Sequence, residues 1–99
     1  MNFTINEVQT IKLSNGDEII AKVGSVDHTS ITVFNPLTVL PSSQGIQLLP
    51  SLFTSDLECS VQINISNITM VADARDQVRD SYLEATTGIK PVRSQILTG

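Results

Sequence analysis

Apolar and polar residues alternate along the first two thirds of the chain, the two-residue period of strands that bury one face. Ile11 and Leu13 flank Lys12 and lead into Asn15-Gly16, a dipeptide suited to the positive φ angles of a tight hairpin turn. From Glu18 to Val26, Ile19, Ala21 and Val23 share one face while Lys22 and Gly24 fall on the other, and Ile20 breaks the alternation. Gly24 marks an expected bend, since strand glycines accompany curvature or close backbone approach. Asp27 to Ser30 forms the next turn. A third strand carrying Ile31, Val33, Leu37 and Val39 is interrupted by Asn35-Pro36, where a proline implies an edge or a bulge. Pro41 to Gly45 has turn chemistry. Between Ile46 and Leu57, the residues Leu48, Leu49, Leu52 and Phe53 are too apolar for a solvated loop. They predict either a strand that completes the sheet and folds over a barrel mouth, or a surface buried against another subunit.

Val61, Ile63 and Ile65 alternate with Gln62 and Asn64, whereas Ile68 and Met70 take the opposite parity, so a turn must intervene at Ser66-Asn67. Short strands bent sharply at fixed points allow a small sheet to curl on itself. Beyond Val71 the period lengthens. Asp73 can cap a helix with Asp76 three positions on, and Ala74, Val78, Tyr82 and Ala85 line one side of it. The helix is expected to end near Gly88 and to pack on its own domain or on a partner. The expected organisation is a β domain over 1–71, a helix over 72–88 and a tail over 89–99.

The run Ile11-x-Leu13-x-Asn15-Gly16-x-x-Ile19-x-Ala21-x-Val23-x-x-x-Asp27 resembles the first motif of the Sm-like family of Sm, Lsm and Hfq proteins, with Ala21 in place of a usual second glycine. Ile63-Asn64-Ile65-Ser66-Asn67-Ile68 is similar to the second motif, with Asn64 replacing its arginine and Ile65 its glycine. The resemblance implies a mostly β fold: a small five-stranded, strongly bent open barrel of the SH3-like kind, here with a C-terminal α-helix. It also implies a cyclic homo-oligomer of five to seven subunits, joined through strand edges that a lone barrel leaves open. Single-stranded nucleic acid, RNA above all, would then meet the loops that map to Asp27, His28 and Ser30 and to Asn64, Ser66 and Asn67. His28 could stack on a base, and the amides of Asn64 and Asn67 could read base edges. Read as local structure alone, Asp27 and Ser30 stabilise a turn, His28 is solvated, and Asn67 tolerates a left-handed backbone. Lys90 and Arg93 could add phosphate contacts from the tail.

Charge runs against that implication. Six Lys and Arg stand against ten Asp and Glu, a net charge of −4, and only Lys12 and Lys22 are cationic before Arg75. Sequence-independent attraction to phosphates is disfavoured. A structural or adaptor ring is therefore the rival reading, making protein contacts through Leu48, Leu49, Leu52 and Phe53 and through the helix. Cys59 is the lone cysteine and His28 the lone histidine, so no thiolate or His-rich metal site, no cofactor and no Ser-His-Asp relay is expected. Asp17, Glu18, Asp56 and Glu58 lie beside turns without a second carboxylate cluster, and enzymatic function is not expected. The chain predicts neither a signal segment nor a membrane span, and a cytoplasmic protein is expected.

Overall fold

The computed structural model describes residues 1–56, 60–87 and 96–97. Strands β1 (Val8–Leu13), β2 (Glu18–Val26), β3 (Ser30–Ser42), β4 (Gly45–Pro50), β5 (Ser60–Asn64) and β6 (Ile68–Asp73) precede helix α1 (Asp76–Thr87) and a two-residue strand β7 (Ile96–Leu97). Every pairing is antiparallel, in the order β6-β1-β2-β3-β4-β7, with β5 also on β3. The expectation of a mostly β domain ending in a helix is met. The strand count exceeds the expected five because one edge of β3 is split between two separate strands, β4 and β5, and because two residues of the tail pair with β4.

The split follows from β3. Leu37 to Ser42 pairs with Pro50 to Gly45, and Ser30 to Phe34 pairs with Asn64 to Ser60. β4 and β5 thus lie end to end along one edge of a single thirteen-residue strand. Where they part, Ser51 donates its N–H to the Pro36 carbonyl (3.0 Å), and the Thr38 and Ser51 hydroxyls bond at 3.0 Å. Asn35-Pro36 does not end β3. It forms a bulge opposite Ala21, with Asn35 at φ 50°, a left-handed angle that asparagine tolerates better than most residues.

Ile20 interrupts the polar side of β2 because it faces a second core on the other side of the sheet, and β3 passes from one core to the other at the bulge. Before it, Ile31 and Val33 pack with Ile11, Ile19, Ala21, Val23 and Ile68 in an inner core. After it, Leu37 turns to the opposite face and joins Val8, Ile20 and Leu48 beneath Val78 and Tyr82 of α1. The sheet is therefore buried on both sides where α1 lies, and β2 supplies both: Ile19 inward, Ile20 toward the helix. Burial of apolar surface, at roughly 25 cal/mol per Å², gives both layers their stability.

The hairpin between β1 and β2 closes as expected, with Gly16 at φ 97° and the Leu13 N–H bonded to the Asp17 carbonyl at 2.8 Å. Two other expectations are corrected. Ile68 and Met70 do not share a face: β6 gains a residue at Thr69, so Ile68 is buried and Met70 is 67 % exposed. Asp73 is not a helix cap but the last residue of β6, where its carboxylate accepts from the buried Gln9 side chain at 3.0 Å. The stripe of Ala74, Val78, Tyr82 and Ala85 does face the chain's own sheet. The expected helix end at Gly88 and most of the tail lie outside the described residues.

Candidate functional site

The two turns singled out by their motif positions come together. Ser30 is the register partner of Asn64, and the Ile65 N–H donates to the Thr29 carbonyl at 2.9 Å. The Asp27 N–H closes the first turn on the Ser30 carbonyl at 2.8 Å, and the Asp27 carboxylate accepts from the His28 N–H. The second turn is one turn of 3-10 helix, Ile65–Asn67, capped by Asn64, whose Oδ1 accepts from the Ser66 N–H (3.1 Å) and hydroxyl (3.0 Å). Its far end is tied to the β1–β2 hairpin by the Ser14 N–H, which donates to the Asn67 carbonyl at 2.7 Å. Asp27, His28, Asn64, Ser66 and Asn67 are exposed and Ser30 is half-buried.

These contacts divide the labour within the site. The Asn64 carbonyl oxygen is committed to the cap, leaving its amide nitrogen as the group that can donate outward. Asp27 both closes a turn and places a carboxylate at the surface. Asn67 does not owe its place to a left-handed backbone, since the non-glycine residues at positive φ are Asn6 and Asn35 among those described.

The apolar candidates separate. Leu48 is a core residue beneath α1 and is removed from any surface role, because strand alternation in β4 turns it inward. Leu49 is half-buried. Leu52 and Phe53 follow the end of β4 and stand 49 % and 79 % exposed. Asp56 is exposed; Leu57, Glu58 and Cys59, like Lys90 and Arg93, lie outside the described residues.

Two aromatic residues near the site carry roles the sequence pattern did not assign. The Tyr82 hydroxyl donates to the Phe34 carbonyl at 2.7 Å and accepts from the Lys22 N–H at 3.2 Å, completing the β2–β3 ladder where the bulge disturbs it. Burial pushes its pKa up to about 12, against the opposing pull of the Lys22 N–H. Phe34 lies at an outward position, 38 % exposed, with its ring against Gly24; a Cβ at Gly24 would stand 2.5 Å from the ring's Cε2. The signal in the sequence was an aromatic residue out of phase with Ile31 and Val33.

A cavity of about 400 Å³ has other walls: there Lys12 and Arg75 share a groove with Asp17, Glu18 and Asp73. None of the expected site residues lines it. Among the described residues no group of three or more His, Cys, Asp or Glu side chains is placed to hold a metal ion, and no helix is long and apolar enough to cross a membrane. In comparisons with protein-family models and with curated proteins, nothing matches the sequence.

Proposed function

We propose that this chain is a divergent Sm-like module that assembles into a ring and engages single-stranded nucleic acid, RNA first, in a cytoplasmic setting. The observation that carries the reading is the meeting of the Asp27–Ser30 and Asn64–Asn67 turns through the Ser30–Asn64 pair and the Ile65 to Thr29 hydrogen bond. Sm-like proteins hold bases between loops at these motif positions, and here the same two segments lie side by side. The bent five-strand core formed by β6, β1, β2, β3 and β5, with a sharp 3-10 corner between β5 and β6, supports the open-barrel fold in this reading.

Ring assembly follows from the two edges. β5 pairs with β3 and β6 with β1, so each has a second edge whose backbone groups have no strand partner among the described residues. Joining the β5 edge of one copy to the β6 edge of the next satisfies both and closes when the rotation divides a full turn. Symmetry then repeats each weak base contact around a circle and raises avidity without adding cations.

Native mass spectrometry should find five to seven subunits, and titration of that oligomer with oligo-U, oligo-A and single-stranded DNA at low salt should give binding that weakens as salt rises. Asn64→Ala and His28→Ala should each weaken binding with the oligomer intact. A monomer at working concentration rejects the assembly, and no binding at low salt rejects the nucleic-acid reading.

The exposure of Leu52 and Phe53 favours a second reading, an adaptor ring that grips protein partners through this apolar excursion. Loss of a co-purifying partner on Phe53→Ser, with nucleic acid inert, would select it.

A further inference from the structure

The helix covers only part of the outer sheet face. α1 seats over Ile20, Leu37 and Leu48, and its Tyr82 hydroxyl reaches the step where Lys22 pairs with Phe34. Beyond that step the outer face continues in cross-strand rows. Lys22, Phe34 and Ser60 form one; Ser25, Thr32 and Gln62 form the next. Their strand neighbours Val23, Ile31, Val33, Val61 and Ile63 belong to the inner core, so alternation turns these residues outward. A third row, Ser30 with Asn64, leads directly into the paired turns.

We propose that these rows form a nucleobase-stacking track running from the paired turns to Phe34, in which Phe34 stacks a base, Lys22 meets a phosphate and Gln62 reads a base edge. The proposal rests on the nucleic-acid reading above and extends it to a second patch on the same subunit.

The chemistry fits a single strand. Phe34 is an apolar ring at an outward position in an otherwise polar strip, and it is backed by the Gly24 backbone rather than by a mobile side chain. A ring held this way loses little freedom when a base stacks on it. Gly24 is itself the extra residue of a bulge between the Val23–Val33 and Ser25–Thr32 pairs, so one irregularity both bends β2 and opens room for the ring. Lys22 is exposed and makes no ion pair among the described residues. Gln62 is exposed, and its amide presents both donor and acceptor, as base edges do. Base stacking adds affinity that does not come from cations, so an aromatic platform offsets part of the deficit left by a net charge of −4.

The chain contains no tryptophan, so Phe34→Trp in the whole 99-residue chain places one indole at the track. Titration with short homopolymers of U, A and dT at low salt should quench its emission. Phe34→Ala should weaken binding about tenfold or more, while Phe34→Tyr keeps it. Lys22→Ala should reduce the slope of log affinity against log salt by about one. Binding that leaves the indole emission of the Phe34→Trp variant unchanged, with Lys22→Ala indistinguishable from the parent, overturns the track and leaves the turn site standing. No binding by the parent protein at low salt overturns both. Emission that shifts with protein concentration alone, unaffected by nucleic acid, assigns the patch to a subunit contact and also overturns the track. Because the Phe34→Trp and Phe34→Tyr variants keep an aromatic ring on Gly24, these outcomes decide the matter even where Phe34→Ala fails to fold.

Discussion

Tyr82 has a role no local pattern announces. Its ring belongs to the layer beneath α1, while its hydroxyl supplies a donor and an acceptor to backbone groups of β2 and β3 at the bulge. Tyr82→Phe keeps the ring and removes those bonds, so the Phe34 carbonyl and the Lys22 amide each lose a partner. Urea unfolding should show a loss of about 1 to 3 kcal/mol. The titration carries a second signature. An unfolded tyrosine ionises near pH 10, whereas the folded Tyr82 holds its proton to about 12. The stability it confers is therefore whole below pH 10 and declines as pH rises from 10 through 12. In Tyr82→Phe that alkaline decline should shrink. Asn35 offers a contrasting test: it sits at φ 50° with a buried Oδ1 that has no protein donor. Asn35→Gly should hold or raise the melting temperature by removing both the Cβ at positive φ and the unpartnered oxygen, while Asn35→Val, whose branched Cβ fits the left-handed region poorly, should lose about 1 to 2 kcal/mol.

At the scale of elements, regular segments were legible and irregular ones were not. Glu18 to Val26 was bounded from its alternation and its flanking turns, and the α1 stripe was read from its longer period, because both signals are local. The Asn15-Gly16 turn and the bend at Gly24 were also legible, since glycine placement reports backbone demands directly. Parity across Asn35-Pro36 and Thr69 was not. A bulge reverses which residues face the core, and its presence depends on the partner strand's register. The same limit misplaced Leu48, which an apolar count grouped with Leu52 although strand pairing buries one and the end of β4 exposes the other. Their stabilities should diverge. Leu48→Ala should cost about 2 to 5 kcal/mol in chemical denaturation and Leu52→Ala less than about 0.5. The candidate site was legible as two turns, but not as one surface, because their contact is made through the long-range β3–β5 pairing. Phe34 is legible only as a ring out of phase with Ile31 and Val33; its seat on Gly24 depends on the β2–β3 register.

The whole molecule joins two layers through one sheet, and neither layer is independent of the other. β2 and β3 line both, and the Tyr82 hydroxyl ties α1 to their shared ladder. Unfolding should accordingly be a single transition by far-UV circular dichroism and by tyrosine fluorescence, and a separate early loss of the helix would contradict this coupling. Among the described residues the outer edges of β5 and β6 carry no strand partner, so any pairing of copies through them would be a matter of backbone valence more than of apolar area.

The division of one sheet edge between β4 and β5 has a further consequence. Because β3 templates each piece separately, peptide continuity across the intervening excursion is dispensable for register. Chymotryptic nicking after the exposed Phe53 should leave two polypeptides that stay associated and re-pair after denaturation, which would make this chain a natural scaffold for fragment complementation.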